Sequence, residues 1–222
     1  MKIVINSHTR NYIALEHLLE SMKIHDEFKL YETIIVIGGY HDSYSKYHIQ
    51  KDENITYIKC NHNSMDFTGL LTLLDLYNKD IDEYYFYLHD TCKVGLNFYK
   101  KLKLVSVTNV TSMKINFHFS MNIGIYSQKI INQFKDFLLT TKNEDESRTI
   151  EFKWNQWLWE DYIFKNDPNV TILDNYFSYW NPSGPFDYYK TGNMRIIEYY
   201  PNIDLYKMKA NYGVSKVAII SN

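Results

Sequence analysis

The segment Glu83-Tyr84-Tyr85-Phe86-Tyr87-Leu88-His89-Asp90-Thr91-Cys92-Lys93-Val94-Gly95 constrains this chain more than any other. Its first half is an aromatic and aliphatic run without Gly or Pro, of the length of a fully buried strand. It then breaks into His, Asp and Thr. In a sheet with helices on both faces, ligands bind beyond the carboxyl ends of the strands. A carboxylate emerging there is costly unless something positive compensates it. A metal ion or a ligand cation supplies that compensation, and Asp90 as the cap of the next turn is the plain structural alternative.

The chain around this segment reads as alternating strands and helices. Lys2 to Asn6 is a first buried strand, ending in Ser7-His8-Thr9-Arg10. Tyr12, Leu15, Leu18, Leu19 and Met22 then share one helical face, with Asn11 as its cap. Thr33 to Ile37 is a second strand closed by Gly38-Gly39-Tyr40. Asn54 to Lys59 is a third, leading through Cys60-Asn61-His62-Asn63-Ser64-Met65-Asp66 into a helix carrying Leu70, Leu71, Leu74 and Leu76. Tyr84 to Leu88 is the fourth. This order predicts an α/β fold with a mainly parallel sheet and right-handed crossovers. It also gathers four polar strand ends on one edge: Ser7 to Arg10, Gly38 to Asp42, Asn63 to Asp66, and His89 to Cys92. That edge is the expected ligand cleft. Further on, Thr140 to Ser147 reads as a polar loop, Phe152 to Lys165 as an aromatic-rich helix, and Val217 to Ile220 as a short edge strand.

Composition excludes some functions. With 222 residues, 45% of them hydrophobic, the chain is long enough for one sizeable core. A formal charge of -2 argues against a nucleic-acid surface working by bulk positive charge. Two cysteines, Cys60 and Cys92, are too few for a disulfide framework or a structural zinc site. No stretch approaches a membrane span and no signal peptide is evident, so a cytoplasmic protein without an integral membrane segment is expected. The 21 Tyr and 12 Phe suit clefts for sugars and bases, but an AT-rich coding sequence accounts for the greater share of the totals.

Neither Gly-x-Gly-x-x-Gly nor Gly-x-x-x-x-Gly-Lys-Ser/Thr occurs, which sets aside dinucleotide-binding and P-loop readings. Ser120-Met121-Asn122-Ile123-Gly124 lacks the first Gly of a nucleophile elbow. His8, His62, His89 and His118 are candidate metal ligands, although any one of them taken singly is more often a hydrogen-bonded structural or surface histidine. Trp157-Leu158-Trp159-Glu160-Asp161-Tyr162 sets adjacent carboxylates among indole rings. There the charged form is disfavoured and proton affinity rises toward that of a general base, whereas on an exposed helix the same pair is a solvated salt-bridging face.

In the order and spacing of Asn6 to Arg10, Asp66-Phe67-Thr68-Gly69-Leu70, Leu88-His89-Asp90-Thr91-Cys92, Ser120-Met121-Asn122-Ile123-Gly124-Ile125-Tyr126 and Trp159-Glu160-Asp161, the chain resembles GT-A fold glycosyltransferases. The likeness is closest to small algal-virus enzymes of the type that forms the N-terminal domain of a chlorovirus capsid glycosyltransferase. It implies one GT-A (Rossmann-like) domain over 1–222, a mainly parallel mixed central sheet flanked by helices. Residues 1–95 would be the nucleotide-binding half and 96–222 the acceptor-side half. The implied reaction moves a sugar, with inversion, from a nucleotide-sugar donor (a UDP-sugar) to a hydroxyl of a glycan or glycoprotein acceptor, in host cytoplasm if the chain is viral.

The resemblance assigns Asp90, with His89, to Mn²⁺ or Mg²⁺, and Asp161, with Glu160 next in line, to general-base catalysis. Ser7, His8, Thr9, Arg10, Gly38 and Asp66 would line the nucleotide pocket, and Arg10, Arg195 and Lys207 would face the diphosphate. The chain departs from the usual Asp-x-Asp: His89-Asp90-Thr91 carries one carboxylate, and Asp80-Ile81-Asp82 precedes the strand, at the wrong end of the sheet. A nucleotidyltransferase and a non-catalytic nucleotide- or carbohydrate-binding module are the competing readings.

Overall fold

A computed structural model of the chain describes residues 1–9, 12–42, 46–115, 120–145, 159–173, 178–179 and 194–210, without the side chains of 178, 179, 194–197, 209 and 210. In chain order the first elements are β1 (Lys2–His8), α1 (Tyr12–Lys23), β2 (Thr33–Gly38), β3 (Tyr47–Asp52), β4 (Ile55–Cys60), α2 (Thr68–Leu76) and β5 (Tyr84–His89). Strands β4, β2, β1 and β5 lie side by side in that order, all parallel.

Their side chains alternate with a period of two. Ile3, Ile5, Phe86 and Leu88 pack on Leu15, Leu18, Leu19 and Met22 of α1. Val4, Tyr85 and Tyr87 pack on Leu70, Leu71, Leu73 and Leu74 of α2. Both faces of the strands are therefore buried, which is why the strands read as continuous apolar runs. The chain leaves β1 for β2 through α1, then returns across the sheet from β4 to β5 through α2. Neighbours β1 and β5 thus form a topological switch point.

The remaining elements are β6 (Cys92–Val94), α3 (Phe98–Leu104), β7 (Ser112–Lys114), β8 (Gly124–Ser127), α4 (Gln128–Gln133), α5 (Lys135–Thr140), α6 (Tyr162–Asn166), β9 (Thr171–Ile172), β10 (Ser178–Tyr179), β11 (Met194–Tyr200) and β12 (Leu205–Ala210). The central sheet is mixed, with eight strands in the order β3-β4-β2-β1-β5-β8-β7-β9 among the described residues. A second, antiparallel sheet runs β10-β11-β12-β6. The division at residue 95 does not separate the sheets, because β6 joins the second sheet while β7, β8 and β9 extend the first.

Two local readings change. Strand β3 has no counterpart in the apolar pattern: residues 48–52 are exposed, and backbone pairing to β4 is what makes them a strand. The expected helix over Phe152 to Lys165 is described only from residue 159. There it is a turn through 159–161 followed by α6, with 152–158 outside the described residues. Asn11 as a helix cap and the strand at Val217 to Ile220 also lie outside them. Among the described residues, no helix is long and apolar enough to cross a membrane.

Candidate functional site

The carboxyl ends of β1, β2, β4 and β5 gather on one edge, as their parallel order requires. The alternation that buries the core carries on into polar residues there. Asn6, opposite His89 in the β1·β5 register, points to the α2 face. The Asn6 Oδ1 accepts from the Gly69 amide at 2.8 Å, while Nδ2 donates to the Met65 carbonyl at 2.9 Å. A donor on one side and an acceptor on the other fix the orientation of the amide. Its Nδ2 also sits 3.2 Å from His89 Nε2.

Met65 is held in the left-handed region at φ 51, with its amide donating to Asn63 Oδ1 at 3.1 Å. That conformation costs an L residue about 1–2 kcal/mol, and here a side-chain hydrogen bond supports it from each side. The next residue, Asp66, places Oδ1 3.1 Å from His89 Nε2, while its carbonyl accepts from the Tyr87 hydroxyl at 2.7 Å. The Asp66 carboxylate favours a charged imidazole. Burial first, then the positive charge of Lys207, outweigh it and hold His89 well below its ordinary value.

Asp90 belongs to the other face. It is 2% exposed, its Oδ2 accepts from the Ser7 hydroxyl at 2.8 Å, and its amide donates to the Asn6 carbonyl at 3.1 Å. The second sheet brings a cation to the next residue, Thr91. Lys207 stands opposite Cys92 where β12 pairs with β6, and its Nζ donates to Thr91 Oγ1 at 2.9 Å. Burial pushes the Cys92 thiol up to about 11, so it is protonated at neutral pH despite this lysine.

Gly38 and Gly39 close the next strand end. A side chain at Gly38 would meet the His62 carbonyl and Thr68 Cγ2 at 3.0 Å. At Gly39, φ is +96 and an added Cβ would lie 2.6 Å from His8 Nε2 and 3.1 Å from Thr9 Oγ1. The Thr9 amide donates to the Gly38 carbonyl at 3.1 Å. His8, Thr9 and the two glycines thus pack tightly together at this edge.

Glu160 and Asp161 arrive at the same edge by another route. In the β5·β8 register Tyr87 faces Gly124, so residues 121–123 run on past the carboxyl end of β5. The Met121 amide donates to the Glu160 carbonyl at 2.6 Å. Asp161, half-buried, precedes α6. An aromatic stack ties this turn to Asp66. Trp159 lies 6.3 Å from both Phe137 and Tyr162, which stack at 3.8 Å, and Phe137 meets Phe67 edge-on at 5.7 Å.

The edge therefore assembles Ser7, His8, Thr9, Gly38, Asp66, His89, Asp90 and Lys207, with Glu160 and Asp161 on its flank. Arg10, His118, Trp154, Trp157, Trp180, Tyr188 and Tyr189 lie outside the described residues, as does the side chain of Arg195, whose backbone pairs with Lys209. His62 is fully buried rather than exposed at this edge. Asn6 and Met65 are the residues that sequence reasoning passed over. Their one legible signal is an Asn at the last α2-facing position of an otherwise apolar strand.

Among the described residues, no group of three or more His, Cys, Asp or Glu could hold a metal ion. His89 and Asp90 are consecutive, and their partners lie on opposite faces of β1, so they do not converge on one ion. A divalent cation there would rest on Asp90 alone, and a ligand's own oxygens would have to complete its shell. The chain matches no known protein-family model and no curated protein.

Proposed function

We propose that this protein is a glycosyltransferase that moves a sugar from a nucleotide-diphosphate donor, a UDP-sugar, to a hydroxyl of a glycan or glycoprotein. One observation carries the reading. At the switch point of a parallel sheet, a buried carboxylate (Asp90, on Ser7), a carboxylate–imidazole pair (Asp66 with His89) and a lysine (Lys207) stand on one edge. Such an edge suits a ligand with a polar base and ribose at one end and an anionic diphosphate at the other.

In this reading Ser7, His8, Thr9, Gly38 and Asp66 hold the nucleoside. Asp161 takes the proton of the acceptor hydroxyl as its oxygen attacks the anomeric carbon. The bond from that carbon to the diphosphate oxygen breaks, the configuration inverts, and the electron pair leaves with the nucleotide diphosphate. Lys207 stabilises the charge that accumulates there. Mn²⁺ or Mg²⁺ on Asp90, when bound, supplies further neutralisation of that charge.

The test is calorimetry of UDP and UDP-sugars against the wild type, Asp90→Asn and Lys207→Met, with a donor hydrolysis assay alongside. Binding that falls at least about tenfold in both variants, as loss of charge-assisted bonds predicts, supports the reading. Nucleotide binding unchanged in both variants would refute it. Tight UDP binding with no turnover on any acceptor would favour the non-catalytic module.

A further inference from the structure

The four most exposed large hydrophobic residues among those described are Leu104 (82%), Leu30 (80%), Leu96 (78%) and Ile24 (70%). They belong to two segments that one buried side chain joins. Tyr99 of α3 packs against His25 and Tyr31, each at 5.5 Å between ring centres. Ile24 and Leu30 flank those partners in sequence, at the two ends of the turn that follows α1. On α3, Lys100, Lys103 and Leu104 fall at i, i+3 and i+4, a spacing that places them on one helical stripe, and Leu96 lies in the turn just before the helix. All four are exposed, while Phe98, Tyr99 and Leu102 face the core.

A lysine precedes three of the four aliphatic tips: Lys23-Ile24, Lys29-Leu30 and Lys103-Leu104. All three lysines and Lys100 are exposed, against Glu20 and Asp26, also exposed, and Glu27, half-buried. The face is therefore aliphatic at its tips and positive between them. Two copies meeting through it would set lysines against lysines. An anionic bilayer answers both features: aliphatic tips enter the headgroup boundary while lysines meet lipid phosphates. A nucleic acid would satisfy the lysines and leave the aliphatic tips in water.

We propose that the face formed by Ile24, Leu30, Leu96 and Leu104 with Lys23, Lys29, Lys100 and Lys103 docks this protein reversibly on anionic lipid bilayers. Tyr31 precedes β2, so the 24–31 turn lies toward the amino ends of the parallel strands. The edge bearing Asp90 lies at their carboxyl ends, so docking here leaves that edge accessible. The inference is independent of sugar transfer.

Co-sedimentation with vesicles of phosphatidylcholine alone, or with about a third phosphatidylserine, tests it, at low salt and again at ~0.5 M NaCl. The wild type is expected to bind the anionic vesicles only, and more weakly at high salt. Two variants change exposed side chains alone, so the fold is preserved, as thermal melting would confirm: Leu30→Ser with Leu104→Ser, and Lys100→Glu with Lys103→Glu. Each is expected to lower vesicle binding at least about tenfold. No binding by the wild type, or binding unchanged in both variants, overturns the proposal. So does sedimentation velocity that finds a wild-type dimer abolished by Leu30→Ser with Leu104→Ser, since the face then belongs to a second copy.

Discussion

Lowering the pH from 7 to 5 should cost this fold about 2 kcal/mol through one side chain, His62. The ring is fully buried, and neither nitrogen has a hydrogen-bond partner among the described residues. It packs edge-on against Tyr47 at 5.9 Å. Burial, reinforced by Lys142, depresses its affinity for protons from 6.5 to about 4. The unfolded chain therefore binds a proton first as pH falls, and stability is lost across the window from about 6.5 down to 4. At about 1.4 kcal/mol per tenfold change in proton affinity, the full loss is about 3 kcal/mol, of which about 2 falls between pH 7 and 5.

His62→Phe keeps a ring against Tyr47 and removes the titration. Urea denaturation of both proteins at pH 7 and pH 5 gives the difference directly. His89, also depressed by burial, contributes equally to both and cancels. At pH 7 the variant should match the wild type within about 1 kcal/mol, since it also removes two buried polar atoms. A variant that loses as much stability on acidification as the wild type would refute the assignment.

Three substitutions probe the cleft. Asn6→Asp keeps the acceptor for the Gly69 amide but turns the donor facing Met65 into a second acceptor. It should lower stability by about 3 kcal/mol and weaken nucleotide binding, both read by ligand-dependent melting. Gly69→Ala would place a methyl 2.6 Å from the Tyr87 ring and 2.9 Å from its hydroxyl, which bonds Asp66. A loss of about 1–3 kcal/mol in denaturant titration is expected, with Asp66 displaced. Asp161→Asn should leave donor affinity unchanged in calorimetry and abolish transfer by at least about a hundredfold, the scale of a lost general base.

The fold was legible where burial imposes a period. Strands β1, β2, β4 and β5 are covered on both faces, so their residues form apolar runs that announce both the strands and their shared edge. Where backbone pairing alone makes the structure, nothing in composition marks it. Strand β3 is solvent-facing apart from Tyr47, whose hydroxyl donates to Asp75 at 2.6 Å, and its pattern is that of a loop. The second sheet was missed for a related reason: Cys92–Val94 is three residues long, and its partner β12 lies more than a hundred residues away. That long-range pairing is what carries Lys207 to Thr91. A list of candidate lysines could include Lys207 but could not place it.

The central motif shows how a strand's period divides labour between neighbours. Along His89-Asp90, one residue's shift moves a side chain from the α2 face to the α1 face of the sheet. His89 therefore meets groups delivered by the loop before α2, namely Asp66 and the Asn6 amide beneath Met65. Asp90 meets the Ser7 hydroxyl, with Thr91 and its lysine alongside. The motif itself carries a single carboxylate. The second carboxylate of the edge, Asp66, comes from a different loop and is positioned by a methionine in a left-handed turn. Read along the sequence, Asp66 and His89 are 23 positions apart and unrelated. Read across β1, both are anchored through Asn6, whose side chain spans the 3.2 Å to His89 and the 2.9 Å to the residue before Asp66. The end of β1 thus carries an imidazole–carboxylate pair on one side and a hydroxyl-held carboxylate on the other, an asymmetry suited to the proposed nucleotide-sugar, whose base and diphosphate differ chemically.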